Sequence, residues 1–376
     1  MNNKILIISP VPTHPPHAGN RSCILNYCQY FTDLGLQVYY LYIGESLPTD
    51  SLELMKNYWG DRLLIITPLF YSFKLRFYKH FRFFTTGKFV YKIDDWFPWG
   101  VRHKIMSLHL KYNFDIIWVN YIWLSKALTF FKVEKKIIDT HDVFSFRYEK
   151  TGSNWYSTTP KQEKRAIDRS DLIVAIQDLE ASFFRGLTTK SVITSYRPFP
   201  IFNTEICFNN NLLFIAGPNN HNVDGLNFLI HELFPLLILE HPTIKLIIGG
   251  GICDYLSNKS LPKGIVIYGK VSDLEHFYSL GNIVFNPIKF GTGLKIKTLE
   301  ALSFGKILVA NSHNVIGIPF PNEIPVLLAD SLSDYQTHIR YLLQDDTVLN
   351  DFKKSVYSYM FKYNNLVDCR MSEILF

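Results

Sequence analysis

The segment IVFNPIKFGTGLKIKTLEALSFGKILVAN, residues 283–311, decides how the rest of the chain is read. Two short apolar runs, IVFNP and ILVAN, enclose a glycine-flanked turn and an apparent helix, the strand–helix–strand alternation of a parallel sheet. Its oddity is electrostatic: Lys295 and Lys297 stand in the first turn of that helix, where the backbone dipole and unpaired amides disfavour positive charge. The glycines of residues 289–293 permit close approach to the backbone, and an anion at the helix start would remove the penalty on both lysines. Glu300 lies three residues beyond Lys297, on the same face. A surface Lys297–Glu300 pair with Lys295 solvated is the plain alternative. Position beyond a strand's carboxyl end favours a diphosphate at the lysines, with ribose hydroxyls on the acceptor-only carboxylate one turn deeper.

The alternation extends in both directions. KILIISP, QVYYLYI, RLLIITP, DIIWVNY, KKIIDTH, DLIVAIQ and SVITSY are strand-like runs in the N-terminal half; LLFIAG, IKLIIGG, GIVIYG, NIVFNP and KILVAN follow in the C-terminal half. Helices lie between them, such as NRSCILNYCQYFTDLGL, with Ile24, Tyr27, Cys28, Tyr30 and Phe31 as its apolar stripe and Gly35 as its stop. The prolines and asparagines of RPFPIFNTEICFNNN, residues 197–211, suit a connection between domains. The expected class is α/β, with parallel-sheet domains at residues 1–205 and 206–350 and a helical tail, 351–376, packing back on the first. Ligands of such sheets bind beyond the carboxyl ends of the strands, which singles out the turns after KILIISP, DTH, LLFIAG, IYG and NIVFNP.

Composition excludes several classes. The 376 residues are 47% apolar and 15% aromatic, enough for a large core and unlike a disordered chain. Cys23, Cys28, Cys207, Cys253 and Cys369 are scattered, suggesting neither a disulfide framework nor a zinc site and fitting a reducing cytoplasm. MNNKILIISP lacks the apolar core of a secretory signal, and the most apolar stretch is broken by His231, Glu232 and Pro235, so no membrane span is expected. GGGICD supplies no third glycine for a dinucleotide-binding turn. Asp139 and Asp142 form no metal-binding DxD, and their positions in a strand do not suit joint acid–base work.

GTGLKIKTLEALSFGK followed by ILVAN resembles the donor-site segment of retaining nucleotide-sugar glycosyltransferases of the GT-B fold, in particular family 4 (glycosyl transferases group 1). The resemblance covers most of the chain through PVPTHPPHAGNR, THD, EKRAIDRSDLIVAIQ, LLFIAGPNNHNVDGLNFL and IYGKVSDL. It implies two Rossmann-like domains facing each other across a cleft, with a C-terminal helix crossing back. It also implies a nucleoside diphosphate sugar donor held by Gly19, Gly217, Gly269, Val271, Thr292, Gly293, Leu294, Lys295, Ile296, Lys297 and Glu300. Glu300 matches the second of the family's paired glutamates, which binds ribose; the first falls on Thr292, so donor-sugar recognition does not carry over there. The amides of Lys295 and Ile296 match those aimed at the diphosphate. AGPNNHNVDG lacks the family's usual Arg and Lys, which Lys295 and Lys297 would replace as catalytic cations. His141 matches a histidine that contacts donor sugar or acceptor; a structural histidine is the alternative. No metal or other cofactor is implied.

Residues 71–112 hold nine Lys/Arg against Asp94 and Asp95, interleaved with aromatics and without an RNA-binding signature. An anionic membrane surface is the expected partner rather than nucleic acid; core aromatics beneath a solvated basic face are the alternative. The combined expectation is retaining transfer to a lipid-linked glycan of the O-antigen, lipopolysaccharide or capsule type, by a cytoplasmic enzyme peripheral to the membrane. A nucleotide-sugar 2-epimerase and a catalytically silent glycan-binding subunit share the architecture.

Overall fold

A computed structural model of the chain describes residues 3–375 except 17–18, 153–154, 206–208, 210, 258, 291–293 and 345. Two compact units emerge: Met1–Pro198 with Val367–Phe376, and Phe199–Leu366. In the first, strands β1 (Lys4–Ser9), β2 (Gln37–Ile43), β3 (Leu63–Ile66), β4 (Ile116–Asn120), β5 (Lys135–Asp139), β6 (Leu172–Ala175) and β7 (Ser191–Thr194) form a seven-stranded sheet in the order β3-β2-β1-β4-β5-β6-β7. Every pairing is parallel. Burial of β4 along its whole length explains why the sequence shows continuous apolar runs instead of alternation: both faces of this sheet are covered.

The helix Gly19–Asp33 covers one face through Cys23, Ile24, Leu25, Tyr27, Cys28 and Phe31. Tyr30, expected in that stripe, is half-buried and donates to Asp368 Oδ1 at 2.8 Å. Gly35 takes a φ of 84°, and the amides of Gly35 and Leu36 close the helix on the carbonyls of Thr32 and Phe31.

The second unit holds β8 (Asn211–Ile215), β9 (Lys245–Gly249), β10 (Ile265–Gly269), β11 (Ile283–Asn286), β12 (Ile307–Ala310) and β13 (Val326–Leu328), again all parallel, in the order β10-β9-β8-β11-β12-β13. Sequence periodicity does not reveal β13, because three partly exposed residues at a sheet edge are too short to show a pattern. A continuous helical run, Asn220–Glu240, is long and apolar enough by composition to cross a membrane. Leu226, Leu229, Ile230, Leu233, Phe234 and Leu237 nevertheless sit in the unit's hydrophobic core. Pro235 cannot donate to the preceding turn, and the run widens to π geometry over Leu229–Leu233 just before it. The closing helix, Asp346–Leu375, belongs to the second unit through Leu366 and to the first from Val367.

Candidate functional site

In the second unit, neighbouring β8 and β11 place their following loops side by side. The helix after β11 runs Ile296–Ser303 and buries Thr298, Leu299, Ala301, Leu302 and Ser303. Buried asparagines fix its entry: Asn314 Nδ2 donates to the carbonyls of Asn286 (2.9 Å) and Ile288 (2.7 Å), while Thr298 Oγ1 donates to the Asn314 carbonyl (2.8 Å). Lys295 is the residue preceding the helix, and its Nζ lies 2.9 Å from His313 Nε2. Leu294 is buried, and the Ile296 amide is turned onto the Leu294 carbonyl at 2.9 Å. In this structure that amide is therefore occupied, and the lysine side chains supply the positive charge at the turn. Thr292 and Gly293 lie outside the described residues.

Lys297 Nζ donates to Asn222 Oδ1 at 2.6 Å. Asn222 is held from both sides, its Nδ2 on the Gly217 carbonyl (2.8 Å) and its amide on Asn219 Oδ1 (2.9 Å), the cap of the helix that begins at Asn220. Gly217 thus enters the site through its carbonyl. Burial pulls the Lys297 ammonium down to about 8, against a smaller upward pull from Glu300. Burial likewise lowers Lys295. Two cations are thus held at a helix start at the cost of desolvation, an arrangement that an anion would relieve. Glu300 accepts from Tyr278 Oη at 2.8 Å, and burial raises its carboxyl more than Tyr278 and Lys297 lower it. Tyr278 is fully buried, stacked on Phe304 at 4.5 Å, so one Glu300 oxygen is fixed by a rigid donor.

Gly269 ends β10 with a φ of 90°, its carbonyl accepting the Gly250 amide at 2.8 Å, and Val271 is half-buried beyond it. The Gly249–Gly250 turn is a packing feature. A Cβ at Gly250 would sit 2.4 Å from the Ala216 carbonyl oxygen, and one at Gly249 would strike the Phe277 ring.

In the first unit, Asn120 and Asp139 are register partners at the ends of β4 and β5. The chain then turns with positive φ at Tyr121 (69°) and His141 (62°), and their rings stack at 4.2 Å. Non-glycine residues in this region are strained, a feature concentrated at functional sites. His141 Nδ1 accepts from Arg197 Nη2 (2.9 Å), so its Nε2 carries the hydrogen and donates to Asn120 Oδ1 (2.8 Å). Burial pulls His141 down to about 3 and pushes Asp139, 3.3 Å away, up to about 7. The imidazole is neutral, and both nitrogens are engaged by protein groups. Asp142 pairs with Arg147, separately from Asp139. Gly19 opens its helix on the exposed side, and its neighbour Asn20 donates to Tyr121 Oη at 3.2 Å, joining this turn to the His141 group.

Asn222, Tyr278, Asn314, Asn120, Tyr121 and Arg197 are absent from the sequence-derived set. The signal for Asn222 was its place three residues after Asn219 in AGPNNHN, where a cap forms; the others are joined only by tertiary contacts. Among the described residues no group of three or more His, Cys, Asp or Glu is placed to hold a metal ion.

Residues 209–345 match the family model of glycosyl transferases group 1, and the fold is GT-B, two Rossmann-like parallel-sheet domains with a C-terminal helix. A Klebsiella pneumoniae protein described as an uncharacterized 44.6 kDa protein in the cps region is 24% identical, over 82% of this chain and 83% of its own. Among solved structures, Anabaena Alr3699/HepE in complex with UDP and glucose is similar (TM-score 0.62, 13% identity, 98% of this chain and 99% of the other). A mutant of S. aureus TarM in complex with fondaparinux, alpha-GlcNAc-glycerol and UDP is similar too (TM-score 0.66, 12% identity, 99% of each chain).

Proposed function

We propose that this chain is a retaining, metal-independent glycosyltransferase that moves a sugar from a nucleoside diphosphate to a hydroxyl of a lipid-linked surface polysaccharide. The observation that carries this reading is one helix, Ile296–Ser303, presenting a desolvated ammonium held by Asn222 and a carboxylate held by Tyr278 one turn apart. That spacing suits a diphosphate at Lys297 and Lys295 with ribose hydroxyls at Glu300. The family match spans these elements, the Klebsiella relative supports a role in polysaccharide synthesis, and the ligands of HepE and TarM support a nucleotide donor. The cysteines described, Cys23, Cys28, Cys253 and Cys369, are free thiols, which suits a cytoplasmic enzyme.

In this reaction the bond from the sugar's anomeric carbon to the diphosphate oxygen breaks. A bond to the acceptor oxygen forms on the same face, and the acceptor's proton passes to the departing phosphate. Lys295 and Lys297 stabilise the charge that grows on that leaving group. His141, neutral and locked by Arg197 and Asn120, would shape the strand-end turn that receives sugar hydroxyls. Incubation with a panel of nucleotide sugars and a lipid-linked acceptor extract tests the reading. Glycan product with the donor's anomeric configuration, at a rate unchanged by chelator, is the expected result. A free epimer would select the epimerase, and absence of any product would select the silent subunit.

A further inference from the structure

The Tyr71–Thr86 helix is inside out. Only Tyr71 and Lys74 of its sixteen residues are buried. Phe70, just before it, and Phe73, Phe77, Phe81 and Phe84 recur at intervals of three and four, which is one face of a helix. That face points to solvent: exposures are 75%, 62%, 50%, 44% and 91% in that order, and adjoining Leu69 is 84% exposed. Phe77 and Phe81 stack at 5.8 Å, so the stripe is continuous. Burying phenylalanines stabilises a fold, and an exposed apolar stripe of this length marks an interaction surface.

Charge identifies the partner. Asp94 and Asp95 are the only acids in residues 71–112, and both are engaged: Asp95 with Arg82 at 2.7 Å, Asp94 with Arg169 at 2.8 Å. Arg76 is exposed beside the stripe, and Lys88 is exposed just past the helix, where Gly87 ends it with a φ of 67°, in a loose surface pair with exposed Glu149 at 3.6 Å. Trp99, 57% exposed, lies under the Lys74 ammonium at 4.7 Å. Exposed phenylalanines bordered by cations, with the nearby acids Asp94, Asp95 and Glu149 each paired to a base, fit a bilayer: rings enter between headgroups while cations meet phosphates.

We propose that the outward face of the Tyr71–Thr86 helix seats this protein on an anionic phospholipid surface. This goes beyond the transfer reaction and does not depend on it. The test is flotation of the full chain with vesicles of phosphatidylcholine alone, or of phosphatidylcholine and phosphatidylglycerol in equal parts, across a salt series. Wild type should float with the anionic vesicles and be released as salt rises. The exposed double variant Phe77→Ser/Phe84→Ser should lose binding while keeping its melting temperature. Arg76→Gln and Lys88→Gln should each weaken binding about fivefold at low salt. Equal recovery with both vesicle types, or a phenylalanine variant that floats like wild type, would overturn the proposal. So would phenylalanine-dependent self-association in size-exclusion chromatography without vesicle binding, which would mark the stripe as a protein-docking face.

Discussion

Replacing Lys297 by Met keeps the length of the side chain and removes its charge. Folded Lys297 titrates at about 8 against an ordinary 10.5, so at neutral pH the charged ammonium costs the apo fold roughly 3 kcal/mol, net of the attraction of Glu300. The sign follows from proton counting. Below about pH 8 both states hold the proton and the cost is fully present; between 8 and 10.5 the unfolded chain still binds a proton the folded chain has lost, so wild-type stability rises with pH. The variant lacks that rise. At neutral pH it forfeits the bond to Asn222, about 1.5–3 kcal/mol, which offsets most of the gain from losing the charge. Its apo stability should therefore be unchanged or raised by about 1 kcal/mol. Nucleoside diphosphate binding should fall about tenfold to a hundredfold, the loss of one charge-assisted hydrogen bond. Wild-type affinity should weaken above pH 8 as the ammonium deprotonates, with Lys295→Met, at the helix entrance, losing less. Thermal melts across pH 7–11 with and without nucleotide, together with calorimetry, measure both effects. A Lys297→Met protein that melts earlier at every pH and binds nucleotide like wild type would refute the assignment.

Glu300→Gln should weaken nucleoside diphosphate binding by about 1.5–3 kcal/mol, read by calorimetry, because the amide keeps the shape but not the charge-assisted acceptor. Tyr278→Phe leaves one oxygen of Glu300 without its buried donor. Urea melts should show a loss of about 1–3 kcal/mol, and steady-state kinetics a raised KM with kcat retained. Folded His141 titrates at about 3 and the unfolded residue at 6.5, so only the unfolded residue takes up a proton as pH falls between these values and the contribution of His141 to stability drops, while Asp139, raised to about 7, contributes with the opposite sign. His141→Gln should remove the His141 contribution from the stability–pH curve, and coincident slopes in the two proteins would contradict the neutral, locked imidazole.

Much of this was legible in the sequence because its cause is local. Continuous apolar runs such as LIVA in β6 are buried strands in a sheet covered on both faces, and a glycine after an amphipathic stripe, as at Gly35, ends a helix wherever it occurs. The strand–turn–helix of residues 283–303 and the unfavourably placed lysines needed only spacing and the helix dipole to be noticed. Tertiary structure decided what those side chains meet. Asn222 reaches Lys297 across 75 residues of chain, and Tyr278 reaches Glu300 across 22. Arg197 reaches His141 across 56, which makes the histidine neutral and engages both ring nitrogens. The Tyr71–Thr86 helix shows the same division: spacing reveals an apolar stripe, and periodicity alone would turn that stripe inward. The structure instead packs Lys74 and leaves the phenylalanines outside. Sequence fixes periodicity and backbone preference because these depend on near neighbours. Partner, desolvation and exposure depend on which distant segments the sheet order brings together, and only the folded chain supplies them.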